Sequence, residues 1–243
     1  MSPKSSTNAT PKSRPSRATM TALTLSPKPH HRRILSSVRK RVDPLAEIDT
    51  DTWSIDNGDS DHEGSIKALI AGLLRRSSPS FLIHLGGTGI IADWRDPTYI
   101  GKLNPKVWSD VSDIEAINSL PDNALHRNVD KIIQAAAAAH GDKLKLAIVC
   151  PPDIYGSGRG LSRTQSIYMP EFLNEIKKVG APFYVGEGTN TRSWVHIEDL
   201  VTVYLKLVEA AVSGGGNANW GKTVLYMPFN HKMHHCLTHT YNR

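Results

Sequence analysis

Cysteine is almost absent from this chain of 243 residues, which contains only Cys150 and Cys236. Two cysteines form no disulfide framework, so the sequence indicates a reducing compartment and predicts a cytoplasmic protein. Long apolar runs are also absent, because none approaches the roughly 20 residues that span a bilayer. No membrane partner is therefore expected.

Acidic residues are missing from residues 1–42, which contain ten lysine or arginine residues. This excess is larger than the net charge of +6, so the rest of the chain is slightly acidic and nucleic acid is not an expected partner. Residues 1–55, basic and then acidic, are too polar to offset the entropy lost on folding and are predicted to be disordered. A mitochondrial presequence is the alternative, although five prolines oppose its amphipathic helix.

Apolar periodicity in the remaining sequence predicts an α/β fold, in which helices and strands alternate. Residues 92–122 are expected to be mostly loop with one short helix, and residues 43–63 irregular. The predicted helices are 64–76, 123–140, 168–179 and 196–212, and the predicted strands are 81–85, 144–149, 182–185 and 223–227.

The stretch 144–160 organises these elements. Leu144 to Val149 are apolar with little alternation, as in a strand buried on both faces. Pro151 and Pro152 end this strand, because proline cannot donate to a sheet ladder. Ligands of α/β proteins bind at the carboxyl ends of strands, so we predict the functional site in the loop that follows.

A glycine-rich turn, Gly86 to Ala92, follows the strand predicted at 81–85 and fits the pattern G-x-x-G-x-x-A. A pyrophosphate loop needs a helix immediately after the turn, whose amide groups hold the phosphates. Here the chain meets Pro97 and shows no apolar periodicity. We therefore predict that these glycines form a turn and hold no pyrophosphate, and the same holds for Gly156 to Gly160.

Four segments together resemble the extended and atypical short-chain dehydrogenase/reductases, the NAD-dependent epimerase/dehydratase-like proteins, and fungal members in particular. Two of them look like the family's R-P-x-x-x-Y-G and R-x-F-x-H-V-x-D-L blocks, in the family's order and spacing. The segments are the strand with 86–89, then 126–131, 149–156 and 192–200.

The resemblance covers about residues 56–227 and implies an α/β fold with a Rossmann-like parallel sheet. That sheet is expected to be N-terminally incomplete, because residues 1–55 contain no counterpart of the family's first strand and G-x-x-G-x-x-G turn. The resemblance also implies a partial NAD(P)-binding domain over 56–160, a small C-terminal substrate-binding subdomain over 161–227 and a disordered tail over 228–243.

The resemblance also implies catalytic residues. Thr88 corresponds to the Ser/Thr that hydrogen-bonds the substrate oxygen, although a turn threonine bonding its own backbone is an equal alternative. Lys131 lies on the helix that carries Tyr-x-x-x-Lys in the family, but no tyrosine precedes a lysine by four residues here. His126 is the nearest proton carrier, yet five positions place it about 140° around the helix from Lys131. A surface histidine is the alternative.

Cofactor and substrate residues follow from the same resemblance, which implies NAD or NADP. Arg192 corresponds to the arginine that grips a substrate phosphate or carboxylate, with an ion pair to Glu187 or Glu198 as the alternative. His196 and Asp199 are expected to cap the helix 196–212. No metal site is predicted, in spite of the histidine-rich end of the chain. The implied cofactor-binding residues are Gly87, Gly89, Pro151, Pro152, Ile154 and Tyr155.

The sequence therefore predicts an NAD(P)-dependent oxidoreductase or epimerase-like protein that acts by hydride transfer on a small molecule: an aldehyde, a ketone or a sugar hydroxyl. A homodimer is a further expectation. The missing tyrosine and phosphate loop leave catalysis open and favour two alternatives. One is a non-catalytic, NAD(P)-binding-like or regulatory protein, and the other is a truncated, inactive product whose two ends come from a faulty gene model.

Overall fold

The computed structural model describes residues 53–93, 96–160, 163–221, 223–228 and the strand at 231–234. Most of the predicted disordered segment, the presequence alternative and most of the histidine-rich end of the chain, including His235, Cys236 and His239 as possible metal ligands, lie outside the described residues. No helix in the described part of the chain combines the length and apolarity that crossing a membrane requires.

Helices and strands alternate along the described chain. In chain order the elements are β1 (Trp53–Asp56), α1 (Glu63–Leu74), β2 (Ser80–Leu85), α2 (Ile114–Asn118), α3 (Arg127–His140), β3 (Leu144–Val149), β4 (Asp153–Tyr155), α4 (Tyr168–Val179), β5 (Thr191–His196), α5 (Ile197–Val212), β6 (Leu225–Tyr226) and β7 (His231–His234), with short 3₁₀ helices at Thr88–Ile91 and Pro97–Tyr99.

The central sheet has the strand order β1-β2-β3-β6, and all of its strands are parallel. Helices α1 and α3 cover one face and α5 covers the other, so β2 and β3 are buried on both sides. Leu82 and Leu146 face α1 and α3, whereas Ile83 packs with α5. This architecture confirms the predicted α/β fold with a Rossmann-like parallel sheet.

A second sheet has the order β4-β5-β7, in which β4 is parallel and β7 antiparallel to β5. Helix α4 has no buried residue and borders this sheet through a contact of the Tyr168 ring with Trp194. The domain boundary predicted at residue 160 remains a prediction. Strand β6 lies beyond this boundary in sequence, and it pairs with β3 in the central sheet.

The strand predicted at 182–185 is wrong. Pro182 has no N–H to donate, and the segment beyond it is tied to a loop instead of a neighbouring strand. Thr189 N–H donates to the carbonyl oxygen of Gly101 at 3.2 Å, and its hydroxyl accepts the N–H of Leu103 at 3.0 Å. A strand-like composition alone does not make a strand where the backbone has no partner in a sheet.

Four strands were not predicted. β1 lies inside the stretch expected to be irregular and overlaps the predicted disordered segment at residues 53–55, so that boundary is corrected. β4 follows Pro152 directly, and β5 lies in a stretch to which no element was assigned. β7 lies inside the predicted disordered tail 228–243, which is therefore corrected at residues 231–234, where the backbone pairs with β5. Helix α3 begins at Arg127, later than predicted, because His126 adopts a left-handed conformation and breaks the helical run at 123–126.

Candidate functional site

Loops at the carboxyl ends of β2 and β3 meet at one edge of the central sheet. Gly86 N–H donates to the carbonyl oxygen of Val149 at 2.8 Å, and Thr88 N–H donates to that of Pro151 at 3.1 Å. These two hydrogen bonds continue the β2–β3 pairing into the loops. The structure therefore brings Thr88 and Pro151 together, at the edge where α/β proteins bind ligands.

His126 lies directly over this turn. Its Nδ1 is 2.8 Å from Asp61 Oδ1 and 3.2 Å from the Ser60 hydroxyl, both in the loop between β1 and α1. Its Nε2 faces the glycines: a Cβ added at Gly87 would lie 2.8 Å from Nε2, and one at Gly89 would lie 3.1 Å from it. We call Asp61 and His126 the dyad.

The backbone of His126 is strained. Its φ of 66° makes it the one non-glycine residue with positive φ among those the structure describes. Such a conformation costs on the order of 1–3 kcal/mol and persists only where surrounding contacts hold it. The ring bond to Asp61 and the bond from Val129 N–H to the His126 carbonyl are such contacts. Strain of this kind concentrates at functional sites.

A carboxyl group is buried beneath the turn. Asp130, one helical turn after His126, has no exposed surface, and neither of its side-chain oxygens has a hydrogen-bond partner among the described residues. A Cβ added at Gly86 would lie 3.7 Å from Asp130 Oδ1 and 3.0 Å from Cys150 Sγ. Burial raises the pKa of Asp130 to about 6, and it also raises the pKa of the Cys150 thiol.

A second buried polar pair joins β1 to β2. Asp56 Oδ2 is 3.0 Å from His84 Nδ1, and both side chains are almost fully buried. His84 Nε2 has no hydrogen-bond partner in the described part of the chain. Positive charge on His84 would oppose the raised pKa of Asp130, so this pair and Asp130 belong to one group of buried polar side chains.

Lys131 points away from the dyad. Its amino group is 2.7 Å from Asp122 Oδ2, and both side chains are largely exposed. This ion pair lies on the surface of α3, whereas Asp130, the preceding residue, is buried. The structure does not bring Lys131 together with Thr88 or His126.

The remaining predicted residues follow β3 toward the second sheet. Pro151 and Pro152 are buried, and Ile154 and Tyr155 belong to β4, which pairs with β5. The Tyr155 ring packs edge-on against His196, with the ring centroids 5.0 Å apart. At the start of α5 the His196 Nδ1 accepts the N–H of Glu198 at 3.3 Å, which confirms the predicted capping role of His196.

Arg192 is bound to a carboxylate of this chain. Its Nε is 2.5 Å from Asp153 Oδ2 and its Nη2 is 2.8 Å from Asp153 Oδ1, a bidentate pair between β5 and β4. The guanidinium also lies 4.1 Å from the centre of the Tyr168 ring. The alternative partners are engaged elsewhere, Glu187 with Lys102 and Glu198 with Arg159.

The sequence of residues 124–221 matches the profile of the NAD dependent epimerase/dehydratase family. This segment of the chain is therefore similar to that family. The matched residues run from the start of the α3 region to just before β6, and so include His126, the proline loop and Arg192. Thr88, Gly87 and Gly89 lie before the matched segment.

A curated relative of the epimerase/dehydratase segment is named Oxidase ucsJ and comes from Acremonium sp. It is 32% identical over 155 residues, which are 63% of this chain and 44% of the relative. The chain therefore spans less than half the length of that protein.

Solved structures that are similar to this chain include a dTDP-glucose 4,6-dehydratase from Streptomyces venezuelae, with NAD and DAU bound, at 17% identity and a TM-score of 0.43. It is matched over 71% of this chain and 45% of its own. A UDP-glucose 4-epimerase from Thermotoga maritima, with UDP-glucose, has 13% identity and a TM-score of 0.38, over 73% of this chain and 50% of its own.

Two residues of the site, Asp61 and Asp130, were not among the predicted site residues. Asp61 is 65 residues from His126 in sequence, and no motif of the epimerase/dehydratase family marks it here. Asp130 had a signal in the sequence: it falls on the apolar stripe of α3, next to Val129 and three positions before Ile133. An acid on a buried stripe indicates either a partner or a raised pKa.

Proposed function

We propose that this protein is an oxidoreductase or epimerase-like enzyme that acts on an aldehyde, a ketone or a sugar hydroxyl, with His126 as the group that moves the proton. The observation that supports the proposal is the position of the dyad, with the imidazole held by Asp61 and directed at the turn that carries Thr88. A histidine oriented by a carboxylate is a recurrent acid–base arrangement in enzymes.

Each residue of the proposed site has one task. With Nδ1–H donating to Asp61, the lone pair of His126 Nε2 faces the turn and can accept the proton of a substrate hydroxyl. Asp61 then stabilises the imidazolium that forms. Thr88, whose N–H is bound to Pro151, offers its hydroxyl to the same substrate oxygen. Lys131 takes no part, because its amino group is paired with Asp122.

NAD or NADP is proposed as the cofactor because residues 124–221 are similar to the NAD dependent epimerase/dehydratase family, and it would supply hydride transfer when bound. The described residues do not fit the phosphates of a dinucleotide. The turn at Gly86–Gly89 leads into a four-residue 3₁₀ helix, Thr88–Ile91, which offers no α-helical N-terminus. His126 and Leu125 also fill the space in front of Gly87 and Gly89. Phosphate contacts would have to come from outside this turn.

A titration of the full-length protein with NADH and with NADPH, followed by nicotinamide fluorescence, tests the cofactor assignment. We expect saturable binding of at least one of them. A dissociation constant weaker than millimolar for both contradicts the assignment. A panel of aldehydes and ketones is then tested for oxidation of the bound cofactor, read from the loss of reduced nicotinamide absorbance.

Replacing His126 with glutamine is expected to lower kcat by about 10²- to 10⁴-fold while leaving cofactor affinity unchanged, because proton transfer is lost and the fold is kept. Lys131→Gln is the matched control on the same helix, and its kcat should equal that of the wild type. Equal rates for His126→Gln and wild type would remove His126 from the mechanism.

A non-catalytic binding protein is the second candidate function. The surface ion pair of Lys131 supports it, because the helix that holds the catalytic lysine of the family directs this lysine away from the site. Saturable cofactor binding without turnover of any compound in the panel would favour this second function.

A further inference from the structure

Four aromatic rings line a cavity of about 400 Å³ beside the second sheet. The rings of Tyr168 and Phe172 are stacked, with centroids 5.9 Å apart and an interplanar angle of 11°, and Phe183 lies 5.8 Å from Phe172. The fourth ring, Tyr184, is half exposed. We call this cavity the aromatic cleft.

The ring of Tyr184 is supported by backbone. Gly188 has a φ of +65°, and a Cβ added there would lie 2.9 Å from the Tyr184 ring. The turn that contains Gly188 therefore packs directly on this ring. Position 188, which holds this ring in place, therefore accepts glycine better than any other residue.

The charge on the aromatic cleft is negative. Glu171 and Glu175 line it from one face of α4, four residues apart, and no lysine or arginine is among the described residues that line it. Glu175 is 2.6 Å from Lys178, so its charge is compensated. Glu171 has no cationic partner in the described part of the chain.

The nearest guanidinium does not reverse this charge. The Arg192 guanidinium lies 4.1 Å from the centre of the Tyr168 ring, and its Nε and Nη2 are both bound to Asp153. A bidentate ion pair of this kind is close to neutral as seen by a ligand, and its best-placed donors are already used. The aromatic cleft therefore offers little attraction for a phosphate or a carboxylate.

We infer that the aromatic cleft binds an organic cation with a planar apolar body, and that it excludes phosphate-bearing ligands. Several aromatic rings next to a carboxylate are the arrangement that recognises ammonium groups in water. The identification of this cation as the substrate rests on the proposed function, whereas its binding to the aromatic cleft is independent of that function. The rings of Tyr168, Trp194 and Tyr155 form a chain of contacts from the cleft toward the proline loop.

The test uses benzyltrimethylammonium as the probe and benzoate as its anionic counterpart, added to the isotope-labelled full-length protein without cofactor. We expect saturable shifts of the backbone amide signals of α4 with the cation, at millimolar concentration, and binding of benzoate at least about tenfold weaker. Equal affinity for both probes, or no shift with the cation, overturns the inference.

Glu171→Gln identifies the carboxylate responsible. It should weaken cation binding by about two- to fivefold, the range of an exposed charge pair, and leave benzoate unchanged or slightly tighter. Glu209→Gln, on the exposed face of α5 outside the cleft, is the control and should bind as the wild type does. An unchanged affinity in Glu171→Gln contradicts the inference.

The two proposals fail independently. Because no cofactor is present in this test, a negative result here does not affect the hydride-transfer proposal. A negative result in the NADH and NADPH titrations likewise does not affect the inference about the aromatic cleft.

Discussion

Replacing Asp130 with asparagine is expected to remove an ionisation cost of about 3 kcal/mol that lowers the stability of the wild type at neutral pH. Burial raises the pKa of Asp130 from an ordinary 3.8 to about 6. Positive charge on His84, His126 or Arg127 opposes this shift, and the negative charge of Asp61 adds to it. The folded state therefore holds this proton more tightly than the unfolded state does. Deprotonation above pH 6 opposes folding, and asparagine has no proton to lose.

The sign of the pH dependence follows from the same shift. Between the ordinary pKa of 3.8 and the folded-state value of about 6, the folded protein binds more protons, so wild-type stability falls as pH rises through this window. Urea unfolding of wild type and Asp130→Asn at a series of pH values gives the difference. We expect the two proteins to be nearly equal near pH 4 and to diverge up to about pH 7.

Asp122→Asn provides a control of opposite sign. Asp122 is exposed, and its hydrogen bond with Lys131 lowers its pKa, so its stabilising contribution is present at neutral pH and is lost on acidification. Neutralising it should slightly weaken the fold at neutral pH. A stability difference between Asp130→Asn and wild type that does not change with pH would contradict the burial argument for Asp130.

Elements with one dominant local signal were predictable. β3 was predicted from a short apolar run ended by two prolines, and the structure gives the same bounds, Leu144–Val149. Helix α4 was predicted from four apolar residues at helical spacing and also has the predicted bounds. In both cases the signal lies within the element and needs no knowledge of the neighbours.

Elements that depend on a distant partner were not predictable. β1 has only four residues, and its strand character comes from the ladder with β2, which begins 27 residues later. β4 has three residues and exists because β5 pairs with it. Residues 182–185 are the converse error: they have a strand-like composition, but no strand in the described part of the chain pairs with them.

The candidate site divides in the same way. The meeting of Thr88 and Pro151 follows from the parallel pairing of two predicted strands, so sequence reasoning was able to place these residues at one edge. The dyad needs the β1–α1 loop to fold over the start of α3, and nothing local to Asp61 signals this. The pairing of Arg192 with Asp153 likewise depends on β4 and β5, neither of which was predicted.

Gly87→Ala is expected to lower turnover by about 10²-fold or more, since displacing a catalytic group by an ångström has an effect of this size. The backbone tolerates alanine, because Gly87 is extended with a φ of −170°. The new Cβ would lie 2.8 Å from His126 Nε2, so the imidazole must leave its position against the turn. Kinetics of cofactor oxidation and thermal unfolding, measured together, separate loss of activity from loss of fold.

Gly160→Ala is the matched control, because a Cβ there has no neighbour within 4 Å among the residues that the structure describes. Its turnover and melting temperature should equal those of the wild type. The decisive comparison adds Gly87→Ala to His126→Ala. If the clash with the imidazole is the whole effect, removing the ring removes the clash, and the double variant should be no slower than His126→Ala alone. A further loss in the double variant would mean that the space in front of Gly87 receives a ligand, which would return this glycine to the cofactor-binding role implied by the family resemblance.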